Sequence, residues 1–129
     1  MGRVSYDFSG ESVLVTGASR GIGRAVALAF ARAGADVTIL SSGPGIHDAA
    51  REIATETGRA VRALECDVTD SAGLAQALAP LGRIDVLVNN AGLERITPLL
   101  ESGDEVEDTF RRITDINVNG TFLVTRHSV

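Results

Sequence analysis

Short apolar runs and longer amphipathic stretches alternate along the chain from Ser12 onward. Each apolar run is too short for a helix and stops at glycine or at polar residues, which is typical of a strand buried on both faces. The runs predict four strands, at Ser12–Thr16, Val37–Leu40, Val61–Leu64 and Ile84–Val88.

The stretches between these runs carry apolar residues three and four positions apart, the spacing of one helix face. They predict helices at Gly21–Ala33 and Ile46–Thr57, a shorter one that Asp70 caps, and a long one from about Asp104. The apolar face of the first helix is predicted at Ile22, Ala25, Val26, Ala29, Phe30 and Ala33.

Alternating strands and helices with short connections favour right-handed β-α-β crossovers and therefore a parallel sheet. The chain is predicted to be one α/β domain over residues 1–129, doubly wound, with its first four strands in the order 3-2-1-4. The carboxyl ends of parallel strands share one edge of the sheet, where a doubly wound fold binds its ligand. That edge collects Thr16–Ser19, Ser41–Ser42, Cys66–Val68 and Asn89–Gly92.

A glycine-rich turn joins the first predicted strand to the first helix. It reads Thr-Gly-Ala-Ser-Arg-Gly-Ile-Gly over residues 16–23. Gly17 permits a tight turn, Gly21 lets a ligand approach the backbone, and Gly23 lets the helix pack closely on the strand. The helix that follows offers unpaired N–H groups and a positive dipole end to an anion. The pattern indicates a cradle for a dinucleotide pyrophosphate, although a plain turn without a ligand would also fit these residues.

Composition narrows the range of partners. The net charge of −5 argues against nucleic acid or an anionic membrane as the main partner. No apolar run approaches the roughly 18–20 residues of a membrane span, and the polar N-terminus lacks a signal-peptide core. These features predict a cytoplasmic protein. Cys66 is the only cysteine and is interpreted as a small buried hydrophobe. No metal site is predicted.

The glycine spacing G-x-x-x-G-x-G resembles the first turn of the short-chain dehydrogenase/reductase family. Three further landmarks follow in that family's order: Asp67-Val68, the stretch Asn89-Asn90-Ala91-Gly92, and Asn117. The resemblance covers essentially the whole chain and implies a Rossmann-type fold. It is a resemblance to the N-terminal, cofactor-binding half of the family. The family's catalytic serine and Tyr-x-x-x-Lys lie beyond the last landmark, and this chain has no lysine.

The resemblance implies a role for each landmark. The Asp67 carboxylate would accept a hydrogen bond from the adenine amino group, with Val68 packed on the ring. Asn90 and Ala91 would border the nicotinamide ribose, whereas Asn89 would brace the strand. The implied cofactor-binding residues are Gly17, Ser19, Arg20, Gly21, Ile22, Gly23, Ser41, Ser42, Asp67, Val68, Asn90, Ala91 and Gly92.

Asn117 is the one catalytic position of the family that this chain contains. Its backbone carbonyl would hold a water in a proton relay. Each of these residues also has a simpler interpretation: Arg20 as a solvated cation, Asp67 as the first residue of a loop, and Asn117 as a structural kink in a helix.

The sequence therefore predicts an oxidoreductase that exchanges hydride between a nicotinamide and a small carbonyl or alcohol substrate. NADP(H) is favoured over NAD(H), because Ser41 and Ser42 stand where an NAD-selective site offers an acid. The chain is expected to be the cofactor-binding part of a longer homo-oligomeric enzyme, inactive by itself. The alternative is a complete protein that only binds a dinucleotide, as a sensor or regulator.

Overall fold

A computed structural model describes residues 2–100 and 103–129; Met1, Glu101 and Ser102, which the predicted domain includes, lie outside the described residues. The structure is a parallel sheet with helices on both faces. The strands are β1 Ser12–Thr16, β2 Asp36–Ser41, β3 Arg62–Glu65 and β4 Val86–Val88. The helices are α1 Gly21–Arg32, α2 Gly45–Thr57, α3 Ser71–Leu78, α4 Asp104–Thr114 and α5 Thr121–Ser128.

The order of the strands is β3-β2-β1-β4, and every neighbouring pair is parallel. This confirms the predicted fold class and strand order. The third and fourth strands are shorter or shifted by a residue relative to the prediction, as expected for boundaries read from pattern alone. Asp70 caps α3 as predicted, because its carboxylate accepts a hydrogen bond from the Gly73 amide at 3.0 Å.

Successive residues of a strand point to opposite faces of the sheet, and here each face has its own core. One face, which we call the alanine-rich face, packs β1 and β2 against small residues of α1 and α2, including Ala27, Ala31, Ala49 and Ala50. The other, which we call the aliphatic face, packs Leu14 and Leu40 against Leu74 and Leu78 of α3 and Val124 of α5.

The prediction of the buried face of α1 was wrong: the buried residues lie about one position further along the helix than the predicted ones. The buried positions are Gly23, Ala27 and Ala31, whereas Ile22 is 77% exposed. The helix has apolar residues around most of its circumference, so hydrophobicity did not select a face. The smallest residues face the sheet because they let the helix approach the strands most closely.

The long helix predicted from Asp104 is interrupted. A π-helical segment, Asp115–Gly120, separates α4 from α5. Gly120 within it is buried against Val68, and a methyl group at Gly120 would lie 2.6 Å from a Val68 methyl carbon. The π segment thus brings the helix backbone against Val68, three residues beyond the end of β3. Single π turns inside helices are uncommon and concentrate near functional sites.

Candidate functional site

A cavity of about 630 Å³ opens at the carboxyl ends of the strands. Its size falls within the range of roughly 300–1,000 Å³ that is usual for small-molecule sites. It is lined by Gly17, Ser19, Arg20, Gly21, Ile22, Ser41, Ser42, Cys66, Asp67, Val68, Asn90, Ala91, Gly92, Leu93, Arg112 and Ile116. All of the predicted cofactor-binding residues except Gly23 are in this set, so the fold gathers them around one space.

The glycine turn forms the floor of the cavity. Gly17 and Gly21 have φ angles of +64° and +61°, a region that favours glycine. The space above Gly21 is open, because a methyl group there would meet nothing within 4 Å. Gly23 faces away from the cavity and packs under the turn, where a methyl group would collide with the Gly17 carbonyl oxygen and the Asn90 amide. The turn is therefore shaped for a group that approaches its backbone at Gly21.

A latch of hydrogen bonds joins the glycine turn to the loop after β4. The buried Thr16 hydroxyl accepts the backbone N–H groups of Asn90, at 3.1 Å, and Ala91, at 3.0 Å. The Asn90 side chain donates to the Gly17 carbonyl oxygen at 3.1 Å. Asn90 thus braces the turn as well as lining the cavity. The latching role of Thr16 is a feature that sequence reasoning missed, because no local pattern reveals which loop its hydroxyl meets.

The Asp67 carboxylate accepts hydrogen bonds from three protein donors, none of which the sequence predicted. One carboxylate oxygen accepts the Thr69 N–H at 2.9 Å and the Thr69 hydroxyl at 2.7 Å. The other accepts the Arg112 guanidinium at 3.2 Å. The Thr69 amide first, and then its hydroxyl and Arg112, hold the pKa of this carboxyl below its usual value, although partial burial opposes them. Asp67 is therefore an ionised, oriented acceptor at the cavity wall.

Among the described residues, Arg20 and Arg112 are the cations that line the cavity, and Asp67 is the one lining carboxylate. Arg112 is paired with Asp67, whereas Arg20 forms no ion pair with any residue that the structure describes. The end of β2 contributes Ser41 and Ser42; the Ser41 hydroxyl donates to the Gly43 carbonyl oxygen at 3.5 Å. Asp36, the first residue of β2, lies at the opposite edge of the sheet. Among the described residues, no carboxylate lines the cavity at the end of β2.

Asn117 lies outside the lining of the cavity, but its side chain holds the loop that lines it. Its amide oxygen accepts the Leu93 N–H at 2.8 Å, and its amide nitrogen donates to the Leu93 carbonyl oxygen at 3.0 Å. Its backbone carbonyl accepts the Thr121 hydroxyl at 3.2 Å. The Thr121 N–H donates to the Val118 carbonyl oxygen three residues earlier, the spacing of a 3₁₀ turn, at the point where the π segment ends. Asn117 therefore links the π segment to the loop after β4.

The structure agrees with the expectation for Asn89 and differs from the expectation for Cys66. Asn89 points away from the cavity and donates to the Thr125 hydroxyl at 3.0 Å, which fits a bracing residue. Cys66 is half-buried in the cavity wall, not fully buried as its sequence interpretation held. Partial burial, and then the nearby carboxylates of Asp70 and Asp67, raise the pKa of its thiol. The thiol therefore stays protonated at neutral pH and is a poor nucleophile.

A glycine turn at a helix N-terminus, beneath a cavity at the carboxyl edge of a parallel sheet, defines the class of α/β domains that bind phosphate-bearing nucleotides. Within that class, a family model described as short chain dehydrogenase matches residues 11–129. The chain belongs to the short-chain dehydrogenase family.

Relatives with assigned names share this region. A sorbitol dehydrogenase of Cereibacter sphaeroides is 41% identical over 89% of this chain and 44% of its own length. A 2-dehydro-3-deoxy-D-gluconate 5-dehydrogenase of Pseudoalteromonas atlantica is 35% identical over 94% of this chain and 48% of its own length. The chain thus spans somewhat less than half the length of these relatives.

Solved structures agree with the fold. A short-chain type dehydrogenase/reductase from Mycobacterium marinum superposes with a TM-score of 0.84 and 37% identity, over 95% of this chain and 50% of the other. L-sorbose reductase from Gluconobacter frateurii, in complex with NADPH and L-sorbose, superposes with a TM-score of 0.84 and 28% identity, over 96% of this chain and 48% of the other.

A search of the described helices for a membrane span finds none with enough length and apolar character.

Proposed function

We propose that this chain forms the cofactor site of an NADP(H)-preferring oxidoreductase, which exchanges hydride between a nicotinamide and a small carbonyl or alcohol substrate. The observation that carries the proposal is the single cavity built on the glycine turn and lined by the ends of all four strands. Family membership and the names of the relatives, which are dehydrogenases and reductases, support the same reaction type.

The residues present fit a dinucleotide. The open backbone at Gly21 and the first amides of α1 would hold the pyrophosphate, since a helix N-terminus favours an anion. Asp67 and Val68 would hold the base on one side, and Asn90, Ala91 and Gly92 would border the nicotinamide half on the other. When bound, the nicotinamide supplies or accepts the hydride. We assign Asn117 to the family's proton-relay position, where this chain contributes a backbone carbonyl and a firmly held loop.

The preference for NADP(H) rests on charge at the β2 side of the cavity. An adenosine ribose placed there would meet Ser19, Ser41 and Ser42, and the guanidinium of Arg20, without a carboxylate to repel a 2′-phosphate. Arg20 has its charge available for such a group. The NADPH complex of the similar L-sorbose reductase supports the preference by analogy.

The remaining features of the proposal concern the whole protein. We place it in the cytoplasm. We also propose a homo-oligomer, since Phe110, Val118 and Phe122, in the segment from α4 to α5, are large apolar residues that are about 60% exposed. The 129-residue chain is expected to bind cofactor without turnover. It contains no lysine, and its one tyrosine, Tyr6, does not line the cavity.

Titration of the chain with NADPH and NADH, followed by nicotinamide fluorescence, tests the proposal. We expect NADPH to bind about tenfold to a hundredfold more tightly than NADH, because a charge-assisted contact to the 2′-phosphate changes the affinity by about this factor. Arg20→Ala should remove most of that difference. Arg62→Ala, at the opposite edge of the sheet, serves as the matched control and should keep it. Equal affinities in the unmodified chain, or an undiminished preference in Arg20→Ala, would contradict the phosphate assignment; no binding of either dinucleotide would contradict the function.

A further inference from the structure

Arg112 reaches the cavity from α4, an element without any landmark of cofactor binding at this position. Its guanidinium lies 3.2 Å from the Asp67 carboxylate, 45 residues earlier in the chain, and both side chains line the same cavity. The neighbouring Arg111 does the opposite: it pairs with Glu107 and Asp108 on its own helix and does not line the cavity. Arg111 therefore contacts only side chains of its own helix among the described residues, whereas Arg112 contacts a residue of the cavity wall.

The hydrogen bonds of the Asp67 carboxylate leave one of its lone-pair positions without a donor. A carboxylate has about four lone-pair positions. Thr69 occupies both positions on one oxygen, and Arg112 occupies one on the other oxygen. The position that remains is on the oxygen that Arg112 holds. Without Arg112, that oxygen would have no donor among the described residues, and only the Thr69 contacts to the other oxygen would orient the carboxylate.

The wall around Asp67 fits a flat apolar ring. Val68, which follows it directly, is buried, and Ile22 and Ile116 line the same cavity. A planar base between such side chains gains apolar contact over its faces and meets the carboxylate at its edge. Because the carboxylate is ionised, it only accepts hydrogen bonds, so the ring edge must present an N–H donor.

We propose that Arg112 is a positioning residue that aims the free acceptor of Asp67 into the cavity, so that the site selects a purine with an exocyclic amino group over one with a carbonyl oxygen. The inference rests on the proposed dinucleotide function and deepens it. An oxo-purine would set its carbonyl oxygen against the carboxylate at the position where an amino-purine presents its exocyclic N–H, so two acceptors would face each other there. An amino-purine would complete the set of donors.

The test compares the affinity of the chain for NADPH and for its deamino analogue, in which hypoxanthine replaces adenine. We expect the chain to favour NADPH by about tenfold, the worth of one hydrogen bond to a charged group. In Arg112→Ala the ratio should fall towards one, whereas Arg111→Ala should keep it. Arg112→Lys, which retains the charge without the planar fork, should give an intermediate ratio. Circular dichroism and thermal unfolding of each variant check that it folds.

The outcomes separate this inference from the function on which it rests. An unchanged ratio in folded Arg112→Ala, or an equal fall in Arg111→Ala, would overturn the role of Arg112. If Arg112→Ala does not fold, the ratio in Arg112→Lys decides: a reduced ratio supports the role, and an unchanged one overturns it. Equal binding of both dinucleotides by the unmodified chain would overturn base selection alone. Failure to bind either one would overturn the proposed function and, with it, this inference.

Discussion

On the alanine-rich face of the sheet, α1 and α2 bring small side chains close to β1 and β2, and most of the apolar residues there are fully buried. On the aliphatic face, larger side chains from α3 and α5 meet fewer fully buried partners, and residues such as Leu64 and Leu87 stay partly exposed. Yet the aliphatic face carries much of the candidate site, since Val68 of its core, with Ala91 and Ile116 packed against that core, lines the cavity.

The two faces therefore contribute differently to the candidate site. The close-packed face fixes the glycine turn, because a helix can approach a strand this closely only where its side chains are small. The looser face supplies part of the wall of the cavity. Its α4 and π segment are tied to the cavity by a few polar contacts, those of Arg112 and Asn117, more than by a continuous core.

The largest expected effect compares two adjacent residues of β2. Ile39 belongs to the alanine-rich core and Leu40 to the aliphatic core, and both are fully buried. Each substitution by alanine should lower the free energy of unfolding by about 2–5 kcal/mol, with Ile39→Ala the costlier, since a tightly packed site cannot collapse around the cavity left behind. Urea unfolding measures both values. A larger cost for Leu40→Ala would break the comparison.

A smaller effect is expected from adding a single methyl group beneath the glycine turn. Gly23→Ala should lower the free energy of unfolding by about 1–3 kcal/mol, because the new methyl group collides with the Gly17 carbonyl oxygen and the Asn90 amide. Gly45→Ala is the matched control, at the first position of α2 with nothing within 4 Å of an added methyl group. It should leave stability unchanged or slightly raised. Thermal unfolding compares the two; equal melting temperatures would show that the turn is not close-packed.

The smallest effect concerns the link between the π segment and the cavity. Asn117→Ala removes two hydrogen bonds to Leu93 at an exposed position, which we expect to cost about 1 kcal/mol and to speed hydrogen exchange at the Leu93 amide. Asn119→Ala is the control, since its side chain donates to Asp115 in the same segment. Unaltered exchange at Leu93 in Asn117→Ala would show that the loop is held by other contacts.

Most of the fold could be predicted from hydrophobic pattern, since each buried strand is a short apolar run between polar residues. The strand order followed from the doubly wound fold class and not from any single residue. The buried side of α1 could not be predicted, because alanine, valine and leucine surround the helix and only closeness of approach distinguishes them. For the π segment, the one sequence signal was Asn117, which could be interpreted as a kink in a helix; the pattern of apolar residues continues through the segment as in a regular helix.

For the site, local motifs placed the glycine turn and the ends of β3 and β4, because each depends on residues adjacent in the chain. Tertiary structure decided what those residues contact. Thr16 meets the loop after β4, Asp67 meets Arg112, and Asn117 meets Leu93, each across more than 20 residues of chain. The physical reason is that backbone preferences and apolar periodicity act over a few residues, whereas the orientation of a polar side chain depends on donors and acceptors that only the folded sheet and helices bring within hydrogen-bonding distance.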